Sequence, residues 1–166
     1  MTHNVGSKSN PQCFGPSYDL KHLTDGPTFS VDLHELNTAV PFFHDIVTTL
    51  PRADPMRIGY VQGLAIALKV RYGLLRQIDD LEQSILHYTE AIFLPPHSHG
   101  SCLNVARILF STAQLLLHRA SHTEQPEDVK RAVIYLRYLH GQSPEAFNIA
   151  PATVKEKLVC ALAHQV

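Results

Sequence analysis

From Val31 onward, the apolar residues recur three and four positions apart, and the β-branched residues never alternate strictly with polar ones. This spacing places apolar side chains on one face of a helix, whereas a half-buried strand would show a period of two. The pattern therefore predicts an all-α body with six helices. We expect them at about residues 31–50, 56–73, 79–94, 102–120, 126–140 and 151–166.

The beginning of the chain, from Met1 to Ser30, differs from this body. It is rich in Gly, Pro, Ser and Asn, and neither the helical nor the strand period is present. The sequence therefore predicts a flexible leader over residues 1–30 and one helical domain over residues 31–166.

Local signals support some of the predicted helix starts. Asp32 is followed three positions later by Glu35, and Asp79 by Glu82, a spacing that suits a side chain capping the first helical amides. Pro126 suits a first helical turn, where its missing N–H is not needed.

One pattern of small, bulky and proline residues occurs three times along the chain. The copies are Leu36, Ala39, Val40, Phe43 and Pro51; Leu81, Ser84, Ile85, Tyr88 and Pro96; and Val129, Ala132, Val133, Leu136 and Pro144. The second copy lies 45 positions after the first, and the third lies 48 positions after the second. In the preceding helices, Leu68 and Arg71 stand 48 positions before Leu116 and Arg119. The repeated unit is therefore predicted to be a helical hairpin, in which the small residue lets two helices approach closely.

Ser84, Tyr88, Ala91 and Pro96 resemble the second helix of a tetratricopeptide repeat (TPR), with its small residue, aromatic residue, second small residue and closing proline. More narrowly, DDLEQSILHYTEAIFLPP and QPEDVKRAVIYLRYLHGQSPEAFN resemble the repeat region of fungal TPR/CHAT-domain proteins. The resemblance implies an α-solenoid of antiparallel helix pairs. It also implies a non-catalytic protein–protein interaction module or scaffold, which could form part of a larger TPR/CHAT protein.

The sequence also departs from that family. Its repeat period of 45 to 48 positions is longer than the family's, so we expect longer links around positions 73–79 and 120–125. Pro41 falls inside the first predicted helix, where it should kink or restart it. HEAT-like repeats, which have a comparable period, are the alternative architecture.

The resemblance further implies a concave groove lined by the first helix of each pair, with a protein or peptide as its ligand. The groove candidates are Gln62, Lys69, Tyr72, Phe110 and Leu117. For Phe110 and Leu117, burial in an ordinary core is the alternative interpretation.

Composition narrows the classes of partner. The net charge is −1 and the basic residues are scattered, so neither nucleic acid nor an anionic membrane surface is an expected partner. No apolar run approaches a bilayer span and no secretory signal is recognisable. We therefore expect a soluble, cytoplasmic protein with reduced cysteines and no cofactor.

Two clusters could carry chemistry instead. His97, His99 and Cys102 are zinc-ligand types close together in one loop, although a fourth ligand is missing from this loop. Cys160 and His164 lie one helical turn apart, as a Cys/His-dependent hydrolase would require. A polar loop and a small core cysteine are the structural alternatives. No GxSxG, HExxH or phosphate-binding glycine loop occurs.

The last predicted helix carries apolar residues along most of its length and has no second helix after it. An uncovered apolar face is costly, and repeat arrays end on a helix with a polar outer face. We therefore expect either a truncated form of a longer array, whose further repeats would cover this face, or a homo-oligomer joined through this helix.

Overall fold

A computed structural model describes residues 32–94, 102–123, 125–142 and 151–163. All regular structure in these ranges is α-helical, which confirms the predicted all-α class. The helices are α1 (Leu33–Thr49), α2 (Arg57–Leu75), α3 (Ile78–Phe93), α4 (Cys102–Thr123), α5 (Pro126–Gly141) and α6 (Pro151–Ala163). The predicted leader, residues 1–30, lies outside the described residues.

The helix starts are only partly as predicted. Asp32 caps α1, because its carboxylate accepts a hydrogen bond of 2.9 Å from the backbone N–H of His34. Pro126 lies in the first turn of α5, also as predicted. The cap predicted at Asp79 is wrong: α3 begins at Ile78 after Gln77, whose side chain makes no capping bond, so Asp79 lies already inside the helix.

Each helix packs against the next one in the chain, and α4 also touches α6. The links inside the hairpins are short, with only residues 76–77 between α2 and α3 and residues 124–125 between α4 and α5. The longer links predicted there are wrong, because α2 and α4 continue to Leu75 and Thr123. Arg76 ends α2 in the left-handed conformation, with φ of 56°, and its N–H bonds the carbonyl of Tyr72.

Pro41 does not restart α1, which runs without a break from Leu33 to Thr49. A proline inside a helix removes one backbone hydrogen bond, here to the carbonyl of Asn37. Both residues are exposed, so water can hydrogen-bond that carbonyl. The predicted restart is therefore wrong.

Small residues lie where the helices of each hairpin meet. Ser84 on α3 is fully buried, and its hydroxyl donates a 2.8 Å hydrogen bond to the carbonyl of Ala65 on α2. The residues 48 positions later, Ala132 and Ala113, are equally buried. The prediction that these small side chains face a neighbouring helix is confirmed, and a larger side chain would force the helices apart.

The aromatic residues of the first two predicted patterns, Phe43 and Tyr88, pack towards the following pair. Phe43 on α1 covers Gly63 on α2 so closely that an added Cβ would stand 3.0 Å from its ring. Tyr88 on α3 hydrogen-bonds Ser111 on α4, which is the residue 48 positions after Gly63. Both contacts therefore join a helix to the first helix of the pair that follows it.

Both hairpins carry the same ion pair beside their turns. Arg71 on α2 donates two hydrogen bonds, of 2.9 and 2.6 Å, to the carboxylate of Asp80 on α3. Arg119 on α4 donates two, of 2.7 and 2.8 Å, to Asp128 on α5, and both partners stand 48 positions further along the chain. A two-pronged pair fixes orientation as well as distance, so it sets the register of each hairpin.

We expect that replacing either arginine by methionine destabilises the protein. The apolar stem would remain, but a carboxylate that is almost fully buried would lose its partner. The expected loss is about 3 kcal/mol of unfolding free energy for Arg71→Met and for Arg119→Met. Urea unfolding measures this loss of unfolding free energy. Arg137→Met, at an exposed position of α5, is the matched control. If Arg71→Met and Arg119→Met were as stable as Arg137→Met, the two ion pairs would contribute nothing to the stability of the fold.

Candidate functional site

Two of the three predicted groove residues on α2, Lys69 and Tyr72, contact α4. Lys69 is half-buried, and its ammonium stands 3.5 Å from the hydroxyl of Ser111 on α4. Tyr72 is buried, and its hydroxyl is 2.7 Å from Nε2 of His118 on α4. Gln62 is also half-buried. The structure therefore brings Lys69 and Tyr72 together with α4.

The predicted groove residues on α4 are both half-buried and pack against the core. Phe110 and Leu117 each contact buried residues of the core without being fully buried themselves. Leu117 also lines an open cleft that reaches Ala161 on α6. These two side chains combine a structural contact with partial exposure.

Two positive charges lie close together at the α2–α4 contact. Burial, and next the neighbouring positive charge of Arg107, lower the pKa of Lys69. Burial raises the pKa of the Tyr88 hydroxyl to about 12, although its bond to Ser111 and the charge of Arg107 oppose the shift. Side chains from three helices thus meet here, with hydroxyl groups beside the ammonium of Lys69.

The Tyr72–His118 contact extends into a ring cluster. The imidazole of His118 packs edge-on against Tyr72 and against His122, with ring centroids 5.4 and 4.9 Å apart. The guanidinium of Arg76 lies 5.8 Å from the centroid of the Tyr72 ring. Burial lowers the pKa of His118, and the nearby His122 and Arg76 lower it further. A neutral imidazole can pair with the Tyr72 hydroxyl as either donor or acceptor.

A second polar network joins α1, α2 and α3. Arg57 donates bonds of 3.0 and 2.7 Å to Glu90 on α3. It also donates to two carbonyls at the end of α1, those of Val47 and Leu50. These bonds satisfy carbonyls that a helix terminus leaves without an intrahelical partner. Sequence reasoning missed Arg57, because nothing in its local pattern distinguishes it from a surface arginine.

His87 lies beside this network. Its Nδ1 is buried without a hydrogen bond to any of the described residues, and it stands 3.7 Å from a carboxylate oxygen of Glu90. Burial lowers the pKa of His87, Glu90 opposes that shift, and His44 and Arg57 add to it. A cleft of about 270 Å³ opens nearby between α1, α2 and α3, lined in part by His44, His87 and the Arg71–Asp80 pair.

The clusters predicted to carry chemistry fall largely outside the described residues. His97, His99 and His164 are not among them, and Cys102 contributes only its backbone, at the first position of α4. Cys160 is exposed on α6. Within the described ranges, no three His, Cys, Asp or Glu side chains come together as a metal ion would require. The zinc and hydrolase hypotheses stay predictions.

Comparison of the chain with family models, with curated proteins and with solved structures gave no match. Of the helices that the structure describes, none combines the length and the apolar character that crossing a bilayer requires.

We expect acid to destabilise the fold through His87 and His118. Their pKa values are lowered in the folded state, so the unfolded chain binds more protons below about pH 6.5. The stabilisation is fully present above that pH and is lost as the pH falls towards the folded-state pKa values. Chemical unfolding at pH 7.5, 6.5 and 5.5 measures the loss. The variant His87→Gln should lose less stability on acidification, whereas His34→Gln at an exposed site should behave as the wild type. A flat profile in the wild type would contradict the expectation.

Proposed function

We propose that residues 33–163 form a TPR-like, non-catalytic interaction module that binds an acidic segment of another protein. The observation that carries the proposal is the shared construction of the two hairpins: an Arg–Asp pair and a contact of small residues recur 48 positions apart. Stacked helix pairs of constant geometry present an extended surface made by successive first helices, and such surfaces bind extended peptides or helices.

The described contacts support one part of that surface as the proposed binding site. Lys69 brings a positive charge to the α2–α4 contact, and Gln62 lies half-buried on the same helix. A carboxylate placed there would gain the Lys69 ammonium as a charged partner in a partly desolvated setting, where such a hydrogen bond is stronger than in water. The preferred ligand is therefore a segment with Asp or Glu at its centre.

Selection from a library of displayed peptides tests the proposal. Binders should be enriched in Asp and Glu, and the dissociation constant should rise about tenfold with Lys69→Glu, because a favourable charge contact of about 1.4 kcal/mol is lost. The matched control is Lys130→Glu, on the exposed face of α5, where the lysine pairs only with Glu127 among the described contacts. The control should bind as the wild type does.

Two results would contradict the proposal. One is a failure of the library to yield any binder to a folded protein. The other is a set of binders that Lys69→Glu and Lys130→Glu weaken equally, since binding would then reflect overall charge and not this surface.

A further inference from the structure

The contact between α2 and α4 contains an aromatic ring at a position where the contact between α4 and α6 has none. Tyr72 fills the first contact, where it is buried and bonded to His118. The residue 48 positions later is Ala120, which is only half-buried. The second contact therefore has a methyl group where the first has a phenol.

The helices do not move together to fill the missing volume. Ala65, Ala113 and Ala161 stand 48 positions apart on α2, α4 and α6, and all three are fully buried. Ala161 on α6 faces the space beside Ala120, since both residues line the same cleft. A cleft of about 300 Å³ remains beside Ala120, at the small end of the range for ligand pockets.

The lining of this cleft has a defined chemistry. It consists of Gln114, Leu117, His118, Ala120, Ser121, Val129, Lys157, Cys160 and Ala161. Most of the wall is apolar, and Lys157 is the one residue with a formal charge among these described lining residues. The amide of Gln114 and the hydroxyl of Ser121 add polar groups at the same cleft. Such a lining suits an apolar body with an anionic group.

We infer that the cleft between α4 and α6 binds a small molecule with one aromatic ring and an acidic substituent, of the size of benzoate. The ring would take the volume that Tyr72 fills in the preceding contact, between Leu117 and Val129. Its carboxylate would pair with the ammonium of Lys157. This inference goes beyond the peptide-binding role and does not depend on it.

Protection of Cys160 tests the inference, because its thiol lines the cleft. The rate of its alkylation by iodoacetamide is measured by peptide mass analysis, with Cys13 and Cys102 as internal references. Benzoate at twice its dissociation constant should slow the modification of Cys160 about threefold, since the unliganded fraction falls to one third. Cyclohexanol, which is similar in size but has neither the aromatic ring nor the charge, should protect less.

Two substitutions test separately the space that the ring would fill and the charge of Lys157. Ala120→Tyr supplies the missing ring, so it should abolish protection and raise the thermal midpoint by roughly 2–4 °C. Ala152→Tyr, at an exposed position of α6 outside the cleft, is the matched control. Lys157→Ala should weaken benzoate about tenfold, which corresponds to loss of one charged contact.

The inference is overturned if benzoate leaves the alkylation of Cys160 unchanged in the wild-type protein, or slows all three cysteines equally. Full protection in a folded Ala120→Tyr variant would also overturn it. If that variant does not fold, the Lys157→Ala comparison decides the matter. Failure here would leave the selection of acidic peptides unaffected, because that test depends on Lys69.

Discussion

The architecture depends on a buried carboxylate beside each hairpin turn. Asp80 and Asp128 have side chains that are 5% and 3% exposed, and such groups are tolerated only when their charge is paired. Each arginine reaches across from the preceding helix and binds both carboxylate oxygens. The pair thus specifies one register between the two helices, and hydrogen bonding to the carboxylate raises the pKa of each guanidinium. Apolar contacts alone would allow the helices to slide by a turn.

The network that joins α1 to the first hairpin is of a different kind. Arg57 holds the end of α1 by two backbone carbonyls and holds α3 through Glu90. The residue 48 positions later is Val105, which is exposed. The Arg57 network is therefore a feature of the contact that α1 makes with the first hairpin, where the repeated pattern recurs after 45 positions and not after 48. The Arg57 network tolerates the shorter spacing, because its hydrogen bonds to the end of α1 are accepted by backbone carbonyls and do not depend on the side chains there.

Much of the helical layout could be predicted from the sequence, because it follows from local periodicity. The three small residues and the bulky residues one turn later are buried as predicted, for example Ala39 with Phe43. The cap at Asp79 was wrongly predicted, because α3 begins one residue earlier, at Ile78, and Asp79 lies in its first turn. Arg57 and the Tyr72–His118 bond were missed because each links helices by a contact that leaves no local signal. The groove prediction identified residues at the contacts between first helices, but spacing alone could not distinguish contact from exposure.

The positions at which the two hairpins carry different residues show how the chemical character of their contacts differs. Where packing and register make the same demand, the residues are alike: small buried residues between the helices of each hairpin and Arg–Asp pairs at the turns. Where the residues differ, the two contacts acquire different properties. Lys69 and Tyr72 make the first contact polar and closed, whereas Leu117 and Ala120 make the second apolar and open. If the two proposals are right, these four positions are where the ligand preferences of the two contacts are encoded.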